Sequence, residues 1–421
     1  MGRKGFNLTQ GTVGANLLDN DDAISALLMS GVAATGLALG VSKMITTRKQ
    51  AKALGIDATY DSANNVRVYR HIDEFFRMFQ EGTELWIMLY PQATTPVTAL
   101  GATYAQKLIS DANGAIRNFG IAYNPAAGYT PTYVDGMEAN IRAAIPAGQI
   151  FADWTATTYR PIHFCIEGRG INVAAASSLN LRAIEVADIV IEYGNVSLMI
   201  GQDWDYAETQ DAIGQKMADI GTLLGAIASR NVGENIAEVG AVNITSTPQG
   251  KWLTAGISSH VKCVDIDADL DDWDANGYIL GWDYQSAAAP GYRFNNDHSC
   301  APIIEDAENN INISSISLSR TNGKVFRKLR DAYLPKLRSA QAVDTSTGLL
   351  PIGTIKYLEG FGNDVFDTME ANREISGGTT TVDPNSDLVS GDKALAVGYQ
   401  WVPLGTLNQI NGIVNIKAKL S

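Results

Sequence analysis

The sequence predicts an α/β (α+β) protein with an α/β body, a smaller C-terminal α+β domain and an extended arm at each end. From residue 20 to about residue 240, helical and strand-like patterns alternate, which is typical of an α/β layer. From Gly250 onward the pattern turns irregular and more acidic. We therefore predict an N-terminal arm over residues 1–18, the body over 19–248, the C-terminal domain over 249–403 and a C-terminal arm strand over 404–421.

The N-terminal arm is polar and rich in glycine, and its apolar anchors are Phe6, Leu8 and Val13. It lacks the apolar core of a signal peptide. The uncharged stretch Ala23–Ser42 that follows is long enough to span a bilayer, but it is poor in the Leu, Ile and Phe that drive insertion. We predict a short helix capped near Asp19–Asp22 and a buried strand there, without membrane insertion.

The spacing of apolar residues and the positions of glycines indicate the order of helices and strands in the body. Val68, Ile72 and Phe75 recur at three- and four-residue spacing, which predicts a helix. Predicted helices cover Thr47–Leu54 (capped by Thr46 or Thr47), Asn64–Phe79, Thr98–Ala112, Val134–Ala144, Gly148–Thr158 and Asp211–Ser229. Predicted strands cover Glu84–Tyr90, Ala115–Tyr123, Pro161–Ile166 and Val196–Gly201. The loop Ala287–Ser299 could connect two domains.

The composition excludes some classes of function. The chain has 421 residues, enough for two or three domains, and its net charge of −13 argues against wholesale nucleic-acid binding. Only 18% of the residues are charged and 40 are glycine, which fits a folded body with much of its surface covered by partners. The cysteines, three in all, are too few and too scattered for a disulfide framework, so we expect a reducing compartment.

Recognisable catalytic motifs are absent from the sequence. The chain contains no GxxxxGK[ST] phosphate loop and no GxSxG nucleophile elbow. Three histidine–cysteine pairs could each supply N and S ligands, but buried apolar cysteine is the alternative we favour: His163 with Cys165, His260 with Cys263, and His298 with Cys300. The acidic run Asp265–Asp274 resembles a calcium loop but lacks its glycine and glutamate, which favours a solvated loop or helix start. We predict no catalytic residue, no metal and no cofactor.

The last hundred residues carry the clearest patterns. We predict helices at Gly323–Arg338 and Thr354–Ala371, a turn at Ser376–Gly378 and a strand at Lys393–Val402. In the final segment Val414, Ile416, Ala418 and Leu420 alternate with polar residues, as a half-buried strand requires. A patterned strand with nothing after it to cover its edge is suited to pairing with another backbone.

The segment Arg320–Arg338 is strongly basic. It has seven basic residues against one acidic residue, a net charge of +6, so the rest of the chain carries −19. Such separation of charge can steer association between copies of one molecule. The alternative is a solvated helix face. The candidate contact residues are Lys324, Arg327, Lys328, Arg330, Lys336 and Arg338.

These C-terminal segments resemble those of the contractile tail sheath proteins of phages and related injection particles. The resemblance rests on the paired helices from Ser319 to Gly378, the TGLLP turn at Thr347–Pro351, the closing strands, and a weaker match at Gly221–Gly240. It implies an extended N-terminal segment (Lys4–Val13) and C-terminal strand (Gly412–Leu420) that add to sheets in neighbouring subunits. It also implies a helical homopolymer around an inner tail tube protein, in a virion tail or a particle assembled in the bacterial cytoplasm, with baseplate and tail terminator proteins as further partners.

Two other classes of function stay open from the sequence. One is a soluble α/β enzyme or ligand-binding protein with a site at the ends of its strands. The other is a different tail component, such as a tube or baseplate protein, although tube subunits are usually shorter and mostly β. No nucleic-acid partner is expected.

Overall fold

The computed structural model describes residues 21–171, 178–390 and 392–412, and the chain divides into two compact units between Asp331 and Ala332. The predicted domain boundary near residue 248 therefore lies too early. The reason is that residues 249–331 bury Trp252, Trp273 and Phe294 in the same core as the body. The predicted mixed α/β fold class is confirmed, with a largely parallel sheet in the first unit.

A six-stranded sheet forms the centre of the first unit. Its strands, in spatial order, are β10 (Val196–Met199), β7 (His163–Glu167), β4 (Asn118–Ala122), β1 (Ser25–Gly31), β3 (Leu85–Pro91) and β2 (Ser42–Ile45). All neighbours run parallel except β2, which is antiparallel to β3.

Strand β1 is the central strand, and all seven of its residues are buried. Such an unbroken apolar run is expected of a strand in a parallel sheet that is covered on both faces. The first part of the apolar stretch, up to Gly31, therefore belongs to the core and follows a 3₁₀ turn at Asp21–Ala23. In its second part Val32, Leu39 and Val41 are exposed. Among the described residues, none of the helices is both long and apolar enough to cross a bilayer.

The first two helices of the first unit begin at side-chain caps. Thr47 caps α1 and Asp57 caps α2, each side chain accepting a backbone N–H from the first turn. The helices are α1 (Arg48–Ala53), α2 (Ala58–Asn64), α3 (Val68–Met78), α4 (Pro96–Ala99), α5 (Ala105–Asp111), α6 (Ala139–Thr157), α7 (Trp204–Glu208), α8 (Ile220–Ser229), α9 (Leu270–Ala275) and α10 (Ile316–Tyr333), whose last turn reaches the second unit.

Several boundaries differ from the sequence prediction. One helix, α6, replaces the two predicted over Val134–Thr158, because Pro146 is accommodated inside it. The helix predicted over Thr98–Ala112 is divided into α4 and α5, with Gly101 between them. The long helix predicted from Asp211 begins only at Ile220, after a 3₁₀ turn at Gly214–Lys216.

Smaller sheets complete the first unit. They are β5 (Tyr133–Val134) with β6 (Met137–Glu138), β8 (Glu185–Val186) with β9 (Ile189–Val190), β11 (Gly201–Asp203) with β12 (Ala255–Ile257) and β13 (Val261–Lys262), and β14 (Gly281–Asp283) with β15 (Tyr292–Phe294). The predicted interdomain loop Ala287–Ser299 thus contains β15, and its Arg293 and Phe294 are buried.

Helices α3 and α8 cross at unusually short range. A Cβ atom at Gly221 would lie 2.1 Å from the backbone oxygen of His71, and one at Gly225 would lie 2.6 Å from that of Phe75. Only glycine permits this approach at these two positions. The small residues that the sequence shows in Gly221–Gly240 are therefore required, at least in α8, by helix packing.

The second unit contains α11 (Ile352–Ala371) and a two-stranded antiparallel hairpin, β16 (Gly377–Val382) with β17 (Val397–Val402). Phe366 packs so closely against the hairpin that a Cβ at Gly378 would lie 2.5 Å from its ring. The predicted turn at Ser376–Gly378 is wrong, because Gly377 and Gly378 already pair with β17. Leu350, Leu358 and Val382 form the buried core of this unit.

A buried ion cluster joins distant parts of the first unit. Arg70 of α3 lies 3.0 Å from carboxylate oxygens of both Asp203 and Asp219 and 3.4 Å from Glu74. Burial works to raise the pKa of Glu74, but the guanidinium groups of Arg70 and Arg77 lower it to about 2. The cluster fixes α3 against the segments that precede α7 and α8.

Replacing Arg70 by methionine should destabilise the protein strongly. The substitution would leave three buried carboxylates without their shared cation, and breaking a buried ion pair in this way costs about 3–5 kcal/mol. Urea denaturation followed by circular dichroism measures the loss. Lys49→Met, at an exposed position of α1, serves as the control and should change stability by no more than about 0.5 kcal/mol. A loss below about 1 kcal/mol for Arg70→Met would contradict this role.

Candidate functional site

The crevice where this sheet type usually binds ligands is filled by the protein's own side chains. The chain leaves β1 toward β3 and later returns to β4 on the other side, so the switch point lies between β1 and β4. There Asn124 donates its backbone N–H to Ser30 Oγ and its side-chain amide to Ser30 O. Arg67 donates both its backbone N–H and its Nε–H to Asn124 Oδ1, at 3.0 Å each. All three side chains are buried, so protein groups occupy this position.

A second buried group occupies the same edge at the end of β7. Arg169 lies 2.9 Å from Glu138 Oε2 and donates to the backbone oxygens of Tyr123 and Ile213. Glu167 accepts backbone N–H groups from Tyr123 and Ala218, at 2.7 and 3.1 Å, and burial raises its pKa to about 7. These hydrogen bonds and the ion pair hold the loops at this edge of the sheet against one another. This arrangement gives no support to the enzyme alternative.

Helix α10 contains the predicted basic segment, and part of its charge points inward. Lys324 Nζ lies 2.6 Å from one carboxylate oxygen of Asp22, and Arg327 Nη2 lies 2.7 Å from the other. Arg320 is buried and donates to the backbone oxygens of Arg230 and Asn231. These three cations therefore bind α10 to the rest of the first unit, and of them Lys324 and Arg327 were predicted as outward contacts.

The ion pairs with Asp22 enclose a small cavity at the amino-terminal edge of the main sheet. Its volume is about 10 Å³, and Arg117, His163 and Arg320 contribute to its lining. Burial works to raise the pKa of Asp22, but Lys324 and Arg327 outweigh it and hold that pKa below its ordinary value of 3.8. A cavity of this size holds at most one water molecule.

The remaining predicted contact residues are distributed over both units. Lys328 is exposed on α10, and the guanidinium carbon of Arg330 lies 4.2 Å from the centre of the Tyr159 ring. In the second unit, Lys336 Nζ lies 4.3 Å from the centre of the Phe361 ring, and Arg338 is exposed. Within the first unit, Lys328 and Arg330 are therefore the two predicted contact residues of α10 that remain at the surface.

The histidine–cysteine pairs take part in ordinary internal contacts. His163, His260 and His298 contact Ser197, Glu208 and Asp274 at 3.0, 2.6 and 2.8 Å. All three cysteines are buried thiols, and burial raises their pKa values. Across the described ranges, no group of three or more His, Cys, Asp or Glu side chains is placed to hold a metal. The calcium-like run forms a 3₁₀ helix (Cys263–Asp269) followed by α9.

The predicted linking residues of the two arms lie outside the described residues. They are Phe6, Leu8, Val13, Val414, Ile416, Ala418 and Leu420. The structure instead describes the hairpin of the second unit, whose two edges differ. Thr380 N donates to Asn363 Oδ1 at 2.9 Å and Val382 N donates to Glu359 Oε1 at 3.2 Å, so α11 satisfies the outer edge of β16.

The outer edge of β17 has no such cover among the described residues. Asp383 N donates to Ala396 O, so Asp383 and Ala396 form a hydrogen-bonded pair of the antiparallel ladder. Hydrogen-bonded and non-hydrogen-bonded pairs alternate along such a ladder. The backbone groups of Val397, Tyr399 and Trp401 therefore point away from β16. Sequence reasoning missed this asymmetry. The spacing of Glu359 and Asn363, four residues apart on one helix face, was the available signal.

Comparisons with known proteins identify both a family and a fold. Residues 5–285, about two thirds of the chain, match the family model described as DUF2586, N-terminal domain. One similar solved chain comes from the baseplate of the anti-feeding prophage (AFP), with TM-score 0.57, and another from the AFP helical sheath in the contracted state, with TM-score 0.56. Each is 12% identical, and each alignment covers 100% of both chains. No curated protein matches the sequence.

Replacing Asp22 by asparagine should lower the free energy of unfolding by about 1–3 kcal/mol at pH 7, because Lys324 and Arg327 lose a largely buried counter-ion. The pKa of Asp22 is lower in the folded state than its ordinary value of 3.8. The carboxylate therefore stabilises the folded state at pH values above 3.8, and this stabilisation is lost as the pH falls through the folded-state pKa. The difference between variant and wild type should therefore shrink below about pH 4. Urea titrations at both pH values measure it.

The neighbouring Asp21→Asn is the matched control for this prediction, because Asp21 is exposed. We expect it to stay within about 0.5 kcal/mol of the wild type at both pH values. Equal effects of the two substitutions would mean that the ion pairs of Asp22 do not anchor α10.

Proposed function

This chain belongs to the DUF2586 family, and we propose that it is the subunit of a contractile tail sheath. The proposal rests on its fold, which it shares over its whole length with a chain of a contracted sheath. Copies would polymerise as a helical tube around an inner tail tube protein. Contraction would be a rigid-body rearrangement of subunits that drives the tube through a target cell envelope.

The single observation that carries this proposal is the open edge of β17. A two-stranded hairpin is marginally stable by itself, and it becomes more stable when further strands extend its sheet. Val397, Tyr399 and Trp401 offer their outward backbone groups to such a strand, whereas α11 covers the other edge. The patterned C-terminal segment ending at Leu420 has the alternation that an added strand requires.

Strand addition explains how subunits could stay connected while they rearrange. Backbone hydrogen bonds along an added strand hold regardless of the side chains that face outward, so the linkage can survive a change in the contacts between bodies. The N-terminal arm, with Phe6, Leu8 and Val13 as its apolar residues, would form a second link of this kind. Baseplate and tail terminator proteins would be partners at the two ends of the tube.

A second candidate is a subunit of the baseplate itself. The observation that favours it is the comparable similarity to a chain from the AFP baseplate. Both candidates are structural components of a contractile particle, and they differ in the assembly that the purified chain would form. A sheath subunit forms long helical cylinders, whereas a baseplate subunit forms closed rings of fixed size.

Purified chain, alone or co-expressed with its tube protein, should form hollow helical cylinders under negative-stain electron microscopy. Val414→Ser with Ile416→Ser should abolish them, because these changes remove the apolar face of the terminal strand. Asn415→Ser with Lys417→Ser is the matched control on the opposite face and should still assemble. A stable monomer of the wild type under every assembly condition would contradict the proposal.

Tyr399→Pro should also block assembly, because proline removes an outward backbone N–H from the open edge of β17 and leaves the bonds to β16 in place. Tyr399→Ala is the control, since it removes the ring and keeps the N–H. We expect the alanine variant to assemble and the proline variant to remain monomeric at equal thermal stability. Cylinders formed equally well by both variants would show that strands are not added at this edge.

A further inference from the structure

An aromatic and cationic patch is exposed on the first unit, where the end of α6 meets α10. We define it as Tyr159, Phe326, Lys328 and Arg330. The Tyr159 ring stacks on Phe326 with centroids 6.3 Å apart and planes at 15°, and the Arg330 guanidinium carbon lies 4.2 Å from the Tyr159 ring centre. Tyr159 is 56% exposed and Phe326 is 42% exposed. Tyr, Arg and other aromatic residues are the types most often found at the centres of protein interfaces.

The backbone of Tyr159 gives a second reason to assign this patch a binding role. Tyr159 ends α6 with φ at 62°, and Arg160 N closes the helix by bonding to Thr155 O at 2.7 Å. Glycine is the residue that favours this left-handed position at a helix end, and a tyrosine there is conformationally strained. The exposed ring adds little to the core that could offset this strain. A contact outside the subunit would account for it.

An acidic segment lies elsewhere on the same unit. We define it as Cys263–Ala275, the 3₁₀ helix and α9, which bury Ile266, Leu270 and Trp273 against the core. Its opposite side presents one apolar side chain, Val264, which is 69% exposed. Around it are the exposed carboxylates of Asp265, Asp267, Asp269, Asp271 and Asp272. The segment therefore complements the aromatic and cationic patch in both charge and apolar character.

The two surfaces lie on different elements of the first unit. The patch is at the amino-terminal edge of the main sheet, because Tyr159 lies just before β7 and Arg327 of α10 binds Asp22 just before β1. The acidic segment begins after β13 at the carboxyl-terminal side of that sheet and then runs back along the β10 edge, because Ile279, which follows it, pairs in parallel with Met199 and Asp274 contacts His298. The two surfaces share no residue, so one copy presents both of them.

We propose that the aromatic and cationic patch of one copy binds the acidic segment of the next copy. This inference rests on the proposed function, in that it requires copies of the chain to assemble. A second copy is the favoured occupant because the chain outside the basic segment carries a charge of −19 and includes this exposed acidic segment. Contacts between two different surfaces are heterologous, and they generate open helical polymers when the rotation from one copy to the next does not close into a ring.

Carbodiimide crosslinking tests this contact directly, since it joins a lysine to a carboxylate only when the two are in contact. Assembled particles made from mixed ¹⁴N- and ¹⁵N-labelled chains should give a mixed-isotope peptide pair that joins Lys328 to the acidic segment. The Lys324–Asp22 pair, at 2.6 Å, is the internal control and should appear without isotope mixing. Lys328 linked only within its own copy, or to another protein, would overturn the inference.

Charge reversal gives an independent test on the full chain. Lys328→Glu with Arg330→Glu, or Asp267→Lys with Asp271→Lys, should each raise the concentration needed for assembly about tenfold or more, and the combination of all four should restore it. Lys43→Glu with Lys49→Glu, at exposed positions away from both surfaces, is the control and should have little effect. Normal assembly by either reversed pair would overturn the inference and leave the sheath proposal intact.

The Tyr159→Gly variant distinguishes an effect on binding between copies from an effect on folding. The substitution relieves the left-handed strain, so the melting temperature should not fall, while assembly should weaken because the exposed ring is lost. Equal assembly by this variant and the wild type would count against the inference. A wild-type chain that forms no particles at any concentration would contradict both this inference and the proposed function, whereas particles without the crosslink would contradict only the inference.

Discussion

The carboxylate of Asp22 is the interaction on which the arrangement of the first unit depends. It lies immediately before the central strand and binds both Lys324 and Arg327, about three hundred residues later in the chain. Because β1 is buried and paired along both sides, its position is fixed by the sheet. The ion pairs extend that rigidity to α10. They decide which cations of the helix face inward and which, Lys328 and Arg330, remain available at the surface.

The sequence identified short-range features well. The cap of α1 at Thr47 and the buried strand near residue 25 follow from local pattern, because capping and apolar alternation involve neighbouring residues. The sequence prediction failed where the structure of a residue depends on a partner that is distant in the chain. Asp219 was expected inside a helix, but its carboxylate binds Arg70, 149 residues away, and the helix begins only after it. Counting charges over Arg320–Arg338 gave the correct sum without showing that Arg320 is buried.

The site predicted from sequence was recovered only in part for the same reason. The spacing of basic residues along a helix shows which of them share a face, but not what that face is packed against. The switch-point crevice, by contrast, has no recognisable sequence pattern, because Ser30, Arg67 and Asn124 come from three separate segments. Since these side chains bond to one another, the position where this sheet type usually binds a ligand is occupied by internal contacts. Specificity in such a protein resides on its surfaces.

The asymmetry of the hairpin in the second unit limits how many connections a subunit can accept. Glu359 and Asn363 occupy the donors on one side, so a foreign strand competes there with two side chains already in place. In the proposed assembly, growth of the sheet would therefore be one-sided, and the number of strands that one hairpin accepts would be limited. Sheets with two free borders can stack without end into aggregates, as amyloid does. Here the helix closes one border, so the order of the proposed polymer would depend on where each border is closed as much as on where it is open.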